Sequence, residues 1–287
     1  MNFRQQQLSA GLYMVATPIG TARDITLRAL DILASADVLA AEDTRTLRKL
    51  MDIHGVPLRD RQIVAYHDHN GAAARPRLLA AIAGGASVAY ASEAGTPLIA
   101  DPGFDLAVAA RADGHLVTSA PGPSAVVTAL SIAGLPTDRF HFAGFAPPSR
   151  SARQGFLADL REVAGTLVLY EAPGRVAAML RDAAEVLGDH REAALCRELT
   201  KRFEEVRRGT LADLAQGAED TPPKGECVIL IDRQSPGQGA TRDDIEAQLN
   251  QALSTMRLKD AATAVAGAMG LRRRDVYQIA LEMKEKP

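Results

Sequence analysis

Short apolar runs alternating with stretches of helical periodicity, from residue 12 onward, restrict this chain more than any other feature. That alternation predicts a mostly parallel α/β sheet, because parallel strands need helical crossovers and are buried on both faces. Leu12-Tyr13-Met14-Val15-Ala16 reads as the first strand, and residues 25–34 as a helix with Ile25, Leu27, Leu30 and Leu33 inward. Strands over 37–41, 87–91 and 115–118 follow, with helices over 44–51, 104–112 and 125–132. Residues 134–137 look like a boundary. A second α/β unit then begins at Phe140-His141-Phe142-Ala143-Gly144-Phe145, with strands over 166–170, 193–196 and 227–231 and a helix over 176–187. A hairpin near 203–210 implies some antiparallel pairing there. Gln234-Ser235-Pro236-Gly237-Gln238-Gly239 has linker composition. Residues 242–284 read as three helices, with Gly270 capping the second, in a small helix-turn-helix module. The expected units are therefore 11–123, 124–233 and 240–287.

Three glycine- and proline-rich loops stand at the carboxyl ends of expected strands: Ala16-Thr17-Pro18-Ile19-Gly20, residues 92–103, and Ala120-Pro121-Gly122-Pro123-Ser124. Ligands of open α/β sheets bind at those ends. One such loop is turn chemistry, whereas three in one unit imply a shared pocket. None reads G-x-x-x-x-G-K-[ST] or G-x-G-x-x-G, so this is not an obvious nucleoside-triphosphate or NAD site. Spacing alone supports a small-molecule pocket in an α/β unit.

Composition removes other classes. A net charge of -2 over 287 residues excludes a globally basic protein that coats polyanions, so any RNA contact must come from local patches. Aromatic residues make up 4% with no Trp, which argues against a single-strand platform of stacked rings. Cys196 and Cys227 lie far apart and are expected to fill strand interiors in a reducing cytoplasm. The polar first ten residues lack a signal-peptide core, and the uncharged stretch 78–92 is broken by Gly84 and Gly85 and is shorter than a membrane span. A cytoplasmic protein is expected.

The motifs in order carry a resemblance. They are Val15-Ala16-Thr17-Pro18-Ile19-Gly20, Asp24-Ile25-Thr26-Leu27-Arg28, Ala41-Glu42-Asp43-Thr44-Arg45 and Ala94-Gly95-Thr96-Pro97-Leu98-Ile99 with Asp101-Pro102-Gly103. Pro121-Gly122-Pro123-Ser124, Gly134-Leu135-Pro136-Thr137, Tyr170-Glu171 and Arg197-Glu198-Leu199-Thr200-Lys201 continue the series. From about residue 11 to its C-terminus the chain resembles ribosomal RNA small subunit methyltransferase I, a cytidine 2′-O-methyltransferase family of the tetrapyrrole-methylase superfamily. The resemblance implies two α/β domains with S-adenosylmethionine in the cleft between them. It also implies a homodimer and, as substrate, a cytidine ribose in the decoding region of small-subunit rRNA. Where the family usually has Asp, this chain has Glu93.

On that basis the cofactor candidates are Thr17, Pro18, Gly20, Glu93, Ala94, Gly95, Thr96, Pro97, Pro121, Gly122, Pro123 and Ser124. A ribose hydroxyl is a poor acid, so a general base helps. Asp24, Asp43, Glu171 and Lys201 are the main candidates, beside Glu42 and His67. For each, a salt bridge or cap is the competing role; Asp43 stands where it would cap the helix from Thr44. Arg23, Arg28, Arg45, Arg48 and Lys49 near the first strand ends, and Arg257, Lys259, Arg272, Arg273 and Arg274 in the tail, are candidates for RNA phosphate. The loop His67-Asp68-His69 resembles a metal site in residue type, but the chemistry needs no metal and none is expected. Two other functions stay open: methylation of a small tetrapyrrole, and non-catalytic RNA binding in ribosome assembly.

Overall fold

The computed structural model describes residues 2–67, 69–233, 242–269, 271 and 273–285. The first domain alternates β1 (Gly11–Val15), α1 (Leu27–Ser35), β2 (Val38–Ala41), α2 (Thr44–Ile53), β3 (Ile63–Ala65), α3 (Gly71–Ala83), β4 (Ser87–Ala91), α4 (Phe104–Ala112) and β5 (Val117–Ala120). Its five strands are all parallel, in the order β3-β2-β4-β1-β5. Successive side chains of β1 point to opposite faces. Tyr13 and Val15 pack with Leu30, Leu33, Leu47 and Met51 of α1 and α2, while Leu12 and Met14 pack with Leu78, Ile82, Leu106 and Ala110 of α3 and α4. The neighbours β1 and β4 therefore send their crossovers to opposite faces. Such a switch point opens a crevice at the strands' carboxyl ends.

Three local expectations change. Leu27 is 65% exposed rather than inward. It is the first residue after the Thr26 cap, whose hydroxyl accepts from the Ala29 amide at 3.1 Å, and the buried stripe starts at Ala29. The last strand begins at Val117, where pairing with Leu12 sets in, two residues later than the apolar run implied. The segment between 53 and 87, unassigned from sequence, adds β3 and α3.

The second domain contains α5 (Ala125–Ala133), β6 (Phe140–Phe145), α6 (Arg150–Asp159), β7 (Thr166–Glu171), α7 (Val176–Leu187), β8 (Glu192–Arg197), β9 (Glu205–Thr210), α8 (Leu211–Asp220) and β10 (Cys227–Ile231). Its sheet is mixed, in the order β6-β7-β10-β8-β9; only β6 and β7 are parallel. Helices α6, α7 and α8 cover one face through Leu157, Met179, Leu180 and Leu214. Helix α5 leaves the first sheet and covers the other through Val126, Ala129 and Leu130. Ile19, from the loop after β1, is buried in that same cluster, so the first domain plugs directly into the second. Cys196 and Cys227 are buried in β8 and β10, and burial pushes their thiols up to about 12 and about 11.

Helices α9 (Arg242–Leu253), α10 (Leu258–Met269) and α11 (Arg273–Glu285) share a separate core of Ile245, Leu249, Ala262, Val265, Val276 and Ala280. The expected linker 234–239, the Gly270 cap and Arg272 lie outside the described residues, as does Asp68. Among the described residues no helix is long and apolar enough to cross a membrane.

Candidate active site

The three glycine- and proline-rich loops are wired to one another. Thr17 and Gly95 exchange backbone hydrogen bonds at 2.9 and 3.0 Å, and the Thr17 hydroxyl donates to the Ser92 carbonyl at 3.1 Å. Thr96 Oγ1 donates to the Pro123 carbonyl at 2.9 Å, joining the second loop to the third. Within the second loop Leu98 and Ala100 hold φ of 74° and 60°, positions that residues with a β-carbon seldom occupy and that concentrate at functional sites.

These loops form one wall of a cavity of about 510 Å³ whose other wall belongs to the second domain. The first wall comprises Ile19, Gly95, Thr96, Asp101, Ser124 and their neighbours; the second comprises Phe145, Tyr170, Glu171, Glu198, Lys201, Glu226 and Val228 among others. Four carboxylates and one ammonium group line it, which favours a cationic ligand. Tyr170 lines the cavity with its hydroxyl against the backbone of Val126, and burial pushes its pKa up to about 12.

Of the cofactor candidates, Ala94, Gly95, Thr96 and Ser124 reach the cavity. Thr17 is buried beneath it as the tie between loops. Gly20 meets the second domain: a β-carbon there would stand 2.7 Å from Lys201 Cγ and 2.8 Å from the Leu199 carbonyl, so only glycine permits this approach. The adjacent Thr21 amide donates to Thr200 Oγ1 at 3.2 Å. Pro18, Pro97, Pro121, Gly122 and Pro123 shape the loops without lining the cavity. Glu93 is exposed, outside the lining, and acts on Arg45 through its charge.

The base candidates separate in the same way. Asp43 does not line the cavity. It caps α2 through the amides of Arg45 and Thr46 and pairs with the Arg45 guanidinium, which holds its carboxyl below the usual range. Asp24 lies in a short turn before α1, also outside the lining.

Glu171 does line it, but its side chain is sealed: the Ala172 amide donates at 2.9 Å and Arg175 Nη2 at 3.1 Å. Burial pushes its carboxyl up, with the amide and Arg175 opposing. Arg175 also donates to the Ala146 carbonyl, so this cluster ties the end of β7 to the end of β6.

Lys201 reaches the cavity with its ammonium 3.0 Å from Glu198 Oε1 and 2.8 Å from Glu226 Oε2. Burial pulls its pKa down, and the two carboxylates more than offset that, so it is held above its ordinary value and charged. Glu198 takes φ of 51°, and its carboxylate also accepts from the Glu226 amide at 3.1 Å. Sequence reading missed Glu198, Glu226, Asp101, Phe145 and Tyr170 as lining residues. Glu198 and Tyr170 stood beside chosen candidates inside quoted motifs, whereas nothing local marks Glu226 or Phe145.

The basic candidates Arg23, Arg28, Arg45, Arg48, Lys49, Arg257, Lys259, Arg273 and Arg274 are all exposed. Arg45 is paired with Asp43. His67 and His69 pack edge to face, with centroids 6.1 Å apart.

Two wired α/β domains enclosing one cleft define a methylase of the tetrapyrrole class, and the family model for tetrapyrrole (corrin/porphyrin) methylases matches residues 11–215. The model for the RsmI C-terminal HTH domain matches residues 239–284. A ribosomal RNA small subunit methyltransferase I of Mesorhizobium japonicum is 45% identical over 97% of this chain and 94% of its own. One from Vibrio cholerae is 41% identical, with 94% of each chain covered. The chain belongs to the ribosomal RNA small subunit methyltransferase I family. In fold it resembles a Thermus thermophilus uroporphyrin-III C-methyltransferase solved with S-adenyl homocysteine, at a TM-score of 0.54 and 20% identity over 77% of this chain and 97% of that one.

Proposed function

We propose that this protein transfers a methyl group from S-adenosylmethionine to the 2′-oxygen of a cytidine ribose in the decoding region of small-subunit rRNA. The observation that carries the reading is the interdomain cleft, with three interlocked loops on one wall and an acidic lining around a single fixed ammonium group on the other. Membership of the family supports rRNA as acceptor, and the exposed Arg257, Lys259, Arg273 and Arg274 supply the local basic surface that a small macrocycle would not need.

The residues fit the cofactor. Backbone groups of Thr96 and Ser124 offer hydrogen bonds to its polar ends, with Gly95 allowing close approach, and Asp101 and Glu226 give the lining a charge complementary to a sulfonium. When bound, S-adenosylmethionine supplies an electrophilic methyl group, and the cleft's task is to align an acceptor oxygen with it. Lys201 is charged and accepts no proton. Its role is to stabilise negative charge developing on the acceptor oxygen as the hydroxyl proton passes to solvent at the cleft mouth, leaving the O-methyl ribose and S-adenosylhomocysteine. Glu171 braces the cleft wall through Arg175. Exposed Phe104 and Val108 of α4, with Val127 and Ile132 of α5, offer apolar surface for the second copy of a homodimer, which light scattering on the purified chain tests.

Labelled S-adenosylmethionine incubated with 30S particles, naked rRNA and a tetrapyrrole tests the main reading. Label in rRNA supports it, and label confined to the tetrapyrrole overturns it. No calorimetric affinity for S-adenosylmethionine would sink any methyl-transfer role and leave RNA binding alone.

A further inference from the structure

Phe145 lines the cavity yet is 57% exposed. Phe104, Phe140 and Phe203 are exposed too, but of these four rings only Phe145 stands in the cavity wall, where a bound ligand would cover it. Its direction is imposed by the backbone. Side chains alternate along a strand, so Phe142 and Phe145, three residues apart, would ordinarily point to opposite faces of β6. Instead the register against β7 shifts: Phe142 pairs with Val168, Gly144 with Leu169 and Phe145 with Tyr170. Ala143 is the extra residue, and the Gly144 that follows it takes φ of 71°, a conformation glycine often supplies at bulges. The bulge brings Phe142 and Phe145 to the same face, where both meet Tyr170 edge to face at centroid distances of 4.9 and 5.6 Å. Phe145 is therefore braced from behind and open in front.

We propose that Phe145 is the stacking surface for the base of the acceptor nucleotide, a proposal that rests on the rRNA reading above. A ribose hydroxyl can enter the cleft only if its nucleotide leaves the RNA stack, and an unstacked base is stabilised by a new aromatic face. The adenine of the cofactor has the same planar chemistry. Position favours the acceptor: Gly95, Thr96 and Ser124 are buried or half-buried on the opposite wall, whereas Phe145 faces the solvent from which RNA arrives. One ring suffices here, unlike the multi-ring platforms that composition excludes.

The test compares Phe145→Ala, Phe145→Leu and Phe145→Trp with the wild-type chain. Readouts are methylation kinetics on 30S particles, cofactor-free binding to 30S, calorimetric affinity for S-adenosylmethionine, and thermal melting. Phe145→Ala and Phe145→Leu are expected to lose about 5- to 100-fold in kcat/KM for the particle. They should also bind it more weakly, with cofactor affinity and melting unchanged, while Phe145→Trp restores most of the loss. Wild-type rates for Phe145→Ala or Phe145→Leu overturn the proposal. A parallel loss of cofactor affinity assigns the ring to adenine and overturns it too, as does a lowered melting temperature shared by all three variants. A wild-type chain that methylates no rRNA overturns the functional reading together with this inference. Active wild type with indifference at Phe145 overturns the inference alone.

Discussion

Replacing Gly225, a glycine of the cavity wall, with alanine should disable the ammonium clamp by displacing the Glu198 carboxylate. Gly225 holds φ of 80°, and a β-carbon there would overlap the Glu198 carboxylate. The left-handed backbone costs a residue with a β-carbon about 1–2 kcal/mol. Glu198 can relieve the overlap only by swinging away, which breaks its bonds to Lys201 Nζ at 3.0 Å and to the Glu226 amide at 3.1 Å. Each is worth about 0.5–1 kcal/mol at a partly exposed site. The total, about 2–4 kcal/mol, corresponds to a melting temperature lower by about 4–16 °C in a chain of this size. Scanning calorimetry reads the stability, and steady-state methylation reads the clamp, with kcat expected to fall more than cofactor affinity. The double variant Gly225→Ala/Glu198→Ala should melt no lower than Gly225→Ala, because the carboxylate is already displaced, and should recover no kcat. A single variant that melts within a degree of wild type and keeps full kcat would refute this account of Glu198 and Gly225.

Lys201→Arg should keep a measurable fraction of kcat and Lys201→Met should lose about 10²-fold or more; equal loss in both would return Lys201 to a proton-accepting role. Because the Lys201 pKa is raised, its stabilising contribution is present below the unfolded value of about 10.4 and is lost only as pH rises through the higher folded one. The rate should therefore show no titration assignable to Lys201 between about pH 6 and 9. Hydrogen bonding to Lys201 lowers the Glu198 pKa, so its contribution is present above about pH 4.3 and is lost as pH falls through the lower folded value. Melting curves of wild type and Glu198→Gln should accordingly converge as the pH falls below that point. Reversing Arg257, Lys259, Arg273 and Arg274 to glutamate should weaken 30S binding most at low salt while calorimetry shows unchanged cofactor affinity; parallel loss of both would deny the tail a separate docking role.

The first sheet was legible because its strands are buried on both faces and read as continuous apolar runs. β3 escaped because it is three residues long and half-buried throughout. α3 escaped because apolar residues lie all around it and Pro76 interrupts its pattern. Leu27 was misplaced because periodicity cannot tell a first-turn residue from one on the buried stripe. At the site, local sequence marked the first wall, Gly95, Thr96 and Ser124, since turn chemistry is written in neighbouring residues. The second wall depends on how β7, β10 and the turn after β8 converge, and no local pattern around Glu226 or Phe145 records that convergence. Chemical role was less visible still: Asp43 and Glu171 look alike as carboxylates, and only their partners show one as a cap and the other as a sealed brace.

The most direct test of the central claim is nucleoside mass spectrometry of 30S rRNA after incubation with the wild-type chain and S-adenosylmethionine. The account predicts one new methyl per particle, recovered as 2′-O-methylcytidine and formed about 10²-fold or more slowly when Lys201→Met replaces wild type. A methyl group recovered on a base, or 2′-O-methylation by Lys201→Met at the wild-type rate, would contradict it.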